Sequence, residues 1–178
     1  MKSFENIDAK SVKEAVGLLQ RFHQQKKVAA VVGGGSEYLQ LMKDHVVEPD
    51  YLINLKTIAG LDYIREERGG FRIGALAKLA DIEEHAAIRE KLLILSDAAG
   101  DAASPQIRNA GTMGGNVANG SPIGDSAPVL IALDAAVELR RGEHLRTLPL
   151  HDFYVDYMKN RLEAGEFLQA IVVPLGKA

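Results

Sequence analysis

P-Q-I-R-N-A-G-T-M-G-G-N-V-A-N-G-S-P-I-G-D-S-A-P, running from Pro105 to Pro128, falls for the most part in a window, residues 100–125, where hydrophobic periodicity vanishes and small or polar residues dominate. A stretch this long without a helical or strand period, inside a compact chain, is usually functional. It sets hydroxyl, amide and carboxylate groups at Thr112, Asn116, Ser121 and Asp125 beside glycines at 111, 114, 115, 120 and 124. Those glycines are expected to leave backbone N–H groups exposed to a ligand.

A second glycine window stands upstream, in Val31-Val32-Gly33-Gly34-Gly35-Ser36-Glu37. The apolar, β-branched run Val28 to Val32 reads as a strand, and Ser36 opens an amphipathic piece through Leu39, Leu41 and Met42. Clustered N–H groups at such a strand-to-helix junction suit an anion. The window matches neither the G-x-G-x-x-G dinucleotide fingerprint nor the G-x-x-x-x-G-K-[ST] phosphate loop, so alone it also fits an ordinary tight turn. Eight of the 17 glycines fall in these two windows.

Around them the pattern is regular. From Ser11 to Phe22, Val12, Ala15, Val16, Leu18, Leu19 and Phe22 recur at helical spacing, with Ser11 and Glu14 forming a capping box. Tyr51 to Leu55 reads as a strand, so residues 1–57 form a first small α/β lobe. In residues 58–178, Leu61 to Glu66 and Phe71 to Gly74 read as a hairpin turned by Arg68-Gly69-Gly70. Asp81 to His85 and Ile88 to Ala99 read as helical, with Leu92, Leu93 and Leu95 as core candidates. Asp125 is the expected N-cap of a helix carrying the buried run Val129 to Leu133. Ala136 to Arg140 and Leu145 to Leu148 form a hairpin around Gly142-Glu143, and Phe167 to Val173 is a last strand.

The 178 residues, 47% hydrophobic and 25% charged, suit a soluble chain with a packed core. With 21 basic against 24 acidic residues and a net charge of −3, nucleic acid is not an expected partner. Cysteine is absent, so an iron–sulfur cluster or thiolate metal site must sit on a partner. No signal-peptide h-region or apolar stretch of ~20 residues is found, so no membrane span and a cytoplasmic location are expected. His23, His45, His85, His144 and His151 lack ligand spacing. The adjacent acids Glu66-Glu67 and Glu83-Glu84 point apart and read as solvated faces. Arg108 could balance phosphate charge beside the second window, or simply lie exposed. Tyr154 and Tyr157 read as lobe packing or a subunit contact.

The order V-V-G-G-G-S-E, then I-G-A-L-A-K-L-A-D-I at Ile73 to Ile82, then the Pro105 to Pro128 motif resembles the FAD-binding domain of the molybdenum hydroxylases. Within that family it is most similar to the bacterial xanthine dehydrogenase small subunit, a likeness continued in R-R-G at Arg140 to Gly142 and L-x-D-F-Y at Leu150 to Tyr154. The likeness covers essentially the whole chain. It implies an α+β fold of two α/β lobes, of the PCMH or vanillyl-alcohol-oxidase-like type, with FAD in the cleft between residues 1–57 and 58–178.

By the same resemblance, Val32, Gly33, Gly34, Gly35, Ser36, Glu37, Tyr38 and Leu39 cradle the pyrophosphate. Thr112, Met113, Gly114, Gly115 and Asn116 form a second FAD segment, Asp125 is a flavin-site carboxylate, and Leu168 is a late apolar contact. From the residues alone, Asp125 could serve only as a cap, and Thr112 and Asn116 could simply close turns through side-chain to backbone bonds. The implied function is electron transfer from iron–sulfur and molybdenum-cofactor subunits through FAD to NAD or oxygen, with no catalytic side chain here. Two departures matter. The aromatic that many relatives carry upstream of P-Q-I-R-N is replaced by Asp101-Ala102-Ala103-Ser104, and the domains that accompany this one in relatives lie outside the sequence. They motivate an alternative, a flavin-free scaffold of the same complex, beside a third reading as a stand-alone nucleotide-binding protein.

Overall fold

A computed structural model of the chain describes residues 1–67 and 69–176. The N-terminal part is a three-stranded parallel sheet with the order β1-β3-β2, built from β1 (Glu5–Asp8), β2 (Ala29–Val32) and β3 (Tyr51–Asn54). Helix α1 (Val12–Gln24) connects β1 to β2, and α2 (Tyr38–Lys43) lies between β2 and β3. Ser11 caps α1 by accepting from the Glu14 N–H at 3.1 Å. The Glu14 carboxylate reaches back to the Lys10 N–H at 2.8 Å, one residue before the position a standard capping box uses. Ala15, Val16 and Phe22 form the buried face of α1, and Phe22 stacks on Tyr51 with centroids 3.8 Å apart. Strand β1 carries no legible period: of Glu5-Asn6-Ile7-Asp8 only Ile7 is apolar, as befits an edge strand.

Strands β4 (Ile64–Glu67) and β5 (Gly70–Gly74) form the first hairpin, with Glu67 opposite Gly70 and Gly69 at φ +89°. Arg68 of the expected turn lies outside the described residues. Three helices come next: α3 (Leu79–Glu84), α4 (Ala86–Lys91) and α5 (Leu93–Asp101). The single helix expected over Ile88 to Ala99 is therefore broken. Leu92, at φ −138° and ψ 49°, ends α4 and precedes α5. The kink turns Leu92 and Leu95 inward but leaves Leu93 56% exposed, so Leu93 is not a core residue.

The expected structureless window is mostly helical. It holds α6 (Pro105–Ala110) and α7 (Met113–Asn119), and α8 (Ser126–Ala132) begins just beyond it. Six- and seven-residue helices are too short to show a legible apolar stripe, and capping is what starts them. Ser104 Oγ accepts from the Ile107 N–H ahead of Pro105, and Thr112 Oγ1 accepts from the Gly115 N–H at 3.1 Å. Asp125 does occupy the position before α8, but in helical backbone geometry and without a side-chain cap bond.

The C-terminal half adds β6 (Ala136–Arg141), β7 (His144–Pro149), α9 (Leu150–Phe153), the short hairpin β8 (Tyr154–Asp156) and β9 (Lys159–Asn160), and β10 (Phe167–Pro174). The β6–β7 hairpin turns at Gly142-Glu143 with Arg141 opposite His144. A five-stranded sheet in the order β4-β5-β10-β6-β7 places the last strand at its centre, antiparallel to β5 and β6. Phe71, Ile73, Val137, Leu139, Ile171 and Val173 share one core with Leu79, Ile82, Leu95, Met113, Val117 and Leu130 from the helices and the connections around them. The opposite face carries polar groups, including an Arg72–Glu138 ion pair that reaches across β10.

Arg146 donates from Nε and Nη2 to both oxygens of Glu166, at 2.8 and 2.7 Å, and Glu166 also accepts from the Glu163 N–H. Burial alone would push the Glu166 carboxyl up. These hydrogen bonds and the Arg146 and Arg141 charges outweigh it, so its pKa is lowered. A lowered carboxyl contributes stability that is present above its unfolded value of ~4.3 and is lost as pH falls through the folded value. Arg146→Ala should cost about 2 kcal/mol. That is below the ~3–5 kcal/mol of a fully buried broken pair because part of Arg146 stays in water. Urea titrations between about pH 3 and pH 7 should show Glu166→Gln losing most of its deficit as the wild type is acidified.

Candidate functional site

The two glycine windows meet. A Cβ placed on Gly34 would lie 2.0 Å from the Ala110 carbonyl oxygen and 3.1 Å from the Gly111 Cα. One on Gly33 would meet Leu76 and Thr112 side-chain atoms at 3.0 and 3.1 Å, and one on Gly111 would come to 3.6 Å from Ser36 Oγ. Chain segments packed this closely exclude any side chain at Gly34. Val32 ends β2, Gly35 takes φ +75° next to Leu39, and Glu37 precedes α2. Tyr38 is half-buried, and burial raises its phenol pKa.

The two windows use their backbones in opposite ways. No N–H from Gly33 to Tyr38 donates to a protein acceptor among the described residues, so this turn carries a row of unengaged donors. In the second window the Met113 N–H donates to Ala77 O, Gly114 to Ala75 O, Gly115 to Thr112 Oγ1 and Asn116 to Thr112 O, at 2.8 to 3.1 Å. The expected exposed N–H groups there are taken up by the fold, which pins α7 to the segment after β5. Gly114 is needed for that seat, since a Cβ would come within 2.7 Å of Ala75. The I-G-A-L-A-K-L motif is thus the platform under α7.

What remains available in the second window is side-chain chemistry. Asn116 Oδ1 is buried with no hydrogen-bond partner among the described residues, as is Ser126 Oγ. Orphan buried polar atoms are costly and point to a missing partner. A Cβ on Gly124 would lie 3.8 Å from Asn116 Oδ1, so the loop after α7 flanks this acceptor. Asp125 is exposed and lines an open hollow of about 410 Å³ with Asp97, Asp101, Ile94 and Ile123. Leu168 is buried in the core of the five-stranded sheet at 5% exposure. Arg108 is no phosphate ligand here: it donates from Nε to Glu83 at 2.8 Å and from Nη1 to the Ala102 and Ala103 carbonyls. The pairing also removes Glu83 from a purely solvated role.

Sequence reasoning missed two residues on the far side of α7. The Tyr154 hydroxyl donates to Val117 O at 2.9 Å, and Asn160 Nδ2 donates to Ala118 O at 2.7 Å. The L-x-D-F-Y motif held the signal for the first, and nothing in the local pattern marked the second. Among the described residues no cluster of His, Asp and Glu could hold a metal, and no helix is long and apolar enough to cross a membrane.

Comparison with known proteins agrees with this architecture. Residues 2–176 match the family described as the FAD binding domain in molybdopterin dehydrogenase. The chain is 38% identical over 177 residues to the nicotinate dehydrogenase FAD-subunit of Eubacterium barkeri, covering 97% of this chain and 59% of that one. It is 31% identical over 167 residues to the xanthine dehydrogenase FAD-binding subunit of Escherichia coli, covering 93% and 56%. A solved structure of carbon monoxide dehydrogenase from Hydrogenophaga pseudoflava superposes with a TM-score of 0.92 at 35% identity, covering 98% of this chain and 60% of that chain. The chain belongs to the family of FAD-binding domains of molybdopterin dehydrogenases, and its fold is the α+β, PCMH-type FAD-binding fold. It spans about three fifths of the length of these relatives.

The loop junction yields a steric prediction. Gly34→Ala must part the two windows and should cost about 1–3 kcal/mol, the usual penalty of overpacking. Gly33→Ala meets only side-chain atoms and should cost less. Thermal unfolding of the two variants side by side measures the difference.

Proposed function

We propose that the chain binds FAD at the junction of its two windows and is the flavin-bearing component of a molybdenum-dependent oxidoreductase. The observation that carries this reading is the row of unengaged N–H groups from Gly33 to Tyr38, lying directly against the segment that carries Asn116. A dianionic pyrophosphate is suited to that row. It cannot satisfy Asn116 Oδ1, because ionised phosphate oxygens only accept. FAD offers the missing donors elsewhere, in its hydroxyls, its adenine amino group and its flavin imide. The residues present therefore fit both halves of the cofactor.

In this reading Val32 to Leu39 hold the pyrophosphate, with Gly34 and Gly35 giving close backbone approach. Thr112, Met113, Gly114 and Gly115 form the wall that α7 presents, Asn116 accepts from the cofactor, Asp125 supplies a second acceptor at the rim, and Leu168 backs the site from within the core. When bound, the isoalloxazine supplies the redox chemistry, and the protein binds, orients and shields it. No side chain here is needed as an acid or base. Electrons would arrive from iron–sulfur and molybdenum-cofactor subunits, since this chain has no cysteine to hold a cluster. The finer reading, a xanthine dehydrogenase-like component delivering to NAD or oxygen, is supported by the motif likeness at Arg140 to Gly142 and Leu150 to Tyr154. The relatives' names span nicotinate, carbon monoxide and xanthine dehydrogenases, so substrate choice is assigned to the partner subunits.

Calorimetry and flavin fluorescence of the purified chain with FAD test the reading. Wild type should bind, and Asn116→Ala should weaken binding about tenfold, the loss of one good hydrogen bond. Asp125→Ala should also weaken it while leaving thermal stability within ~0.5 kcal/mol, because its carboxylate is exposed and makes no cap bond to α8 among the described residues. A folded chain that takes up no FAD, both alone and when extended by the following domain, would replace this reading with the flavin-free scaffold.

A further inference from the structure

Helix α7 is too short to hold itself, since seven residues lie well below the length at which an isolated helix persists in water. The last carbonyls of any helix lack intrahelical donors. Here both neighbouring ones are met by the same small hairpin. Val117 O accepts from the Gly120 N–H and from the Tyr154 hydroxyl, and Ala118 O accepts from Asn160 Nδ2. Asn160 is itself oriented, because its Oδ1 accepts from the Leu162 N–H at 3.0 Å. The hairpin is closed at its base by the Arg161 N–H donating to Phe153 O at 2.9 Å.

The same side chains shape the loop beyond the helix. The chain leaves α7 through Gly120 at φ +62°, and a Cβ there would lie 3.3 Å from the Tyr154 ring. Four residues later the loop passes Asn116 Oδ1 at Gly124. One hairpin therefore sets the end of the helix that carries Asn116 and the start of the loop that encloses it. We infer that Tyr154 and Asn160 are positioning residues: by gripping the Val117 and Ala118 carbonyls they fix the direction in which Asn116 presents its amide to the cofactor. The inference rests on the flavin reading for what Asn116 meets, but not for how it is held. Burial pushes the Tyr154 phenol up to about 12, so the hydroxyl remains a donor at ordinary pH.

Two measurements on the folded chain decide it. In the free protein, the Asn116 side-chain amide resonances should shift in Tyr154→Phe and Asn160→Ala, and stay in place in Tyr157→Phe, which alters an exposed hydroxyl on the same hairpin. Unmoved Asn116 resonances in the first two variants overturn the inference whatever the chain binds. In FAD titrations, Tyr154→Phe should weaken binding roughly three- to tenfold, the range of one neutral hydrogen bond. The loss should shrink to less than about twofold when Asn116 is already alanine, because a residue acting through another is non-additive with it. Equal losses in both backgrounds would show that Tyr154 acts by general stability instead. If wild type binds no FAD, both alone and when extended, the flavin reading fails, and the resonance experiment alone decides whether the hairpin holds Asn116.

Discussion

The tightest constraint in the molecule is backbone against backbone: the turn at Gly34 lies on the Ala110 carbonyl with no space for even a methyl group. That approach fixes the position of Thr112, which caps α7 and pairs in a bridge with Lys78 at the entrance to α3. Gly114 repeats the device on the other side by seating α7 on Ala75. Glycine here supplies nearness rather than flexibility. Two segments far apart in sequence are brought into contact because neither has side chains in the way.

Similar composition conceals a division of labour. From Gly33 to Tyr38 the N–H groups have no protein acceptor among the described residues, while the second window gives its own to Thr112, Ala75 and Ala77. An anion held as proposed would be served from one side only. The other side contributes an uncharged acceptor at Asn116, and the carboxylates of Asp97, Asp101 and Asp125 line an open hollow that Gly124, the neighbour of that acceptor, also lines. This arrangement suits a ligand that is charged in the middle and polar but neutral at its ends.

Much of this was legible in the sequence. The α1 cap, the β6–β7 hairpin and the strands Val28 to Val32, Tyr51 to Leu55 and Phe167 to Val173 carry period or turn chemistry strong enough to survive single-sequence reading. Failures came where tertiary contact replaces local pattern. α6 buries no side chain and α7 only Met113, Gly114 and Val117, too few positions for a legible apolar stripe, so that capping and carbonyl bonds define them instead. Leu93 faces solvent because Leu92 breaks the helix, which apolarity alone cannot reveal. Arg108 reads as exposed, or as a balance for phosphate charge, because Glu83, 25 residues away in sequence, is brought beside it only by the packing of α3 and α6. For the site, the motif marked the segments, but which N–H groups are free depends on the fold around them.

Strand β10 ties the two halves together. Phe167 packs into the core of the parallel sheet, with Ala15, Phe22 and Ile53, while Leu168 beside it belongs to the core of the antiparallel sheet, and a register irregularity lies between Leu168 and Ala170. Ile58, Leu61 and Leu76 likewise extend the first core beyond the segment that builds its sheet. Neither half can expose its interior without disturbing β10, which contributes side chains to both cores. The two lobes should melt as one cooperative unit, so that amides in β3 and in β5 share a single opening free energy despite belonging to different sheets.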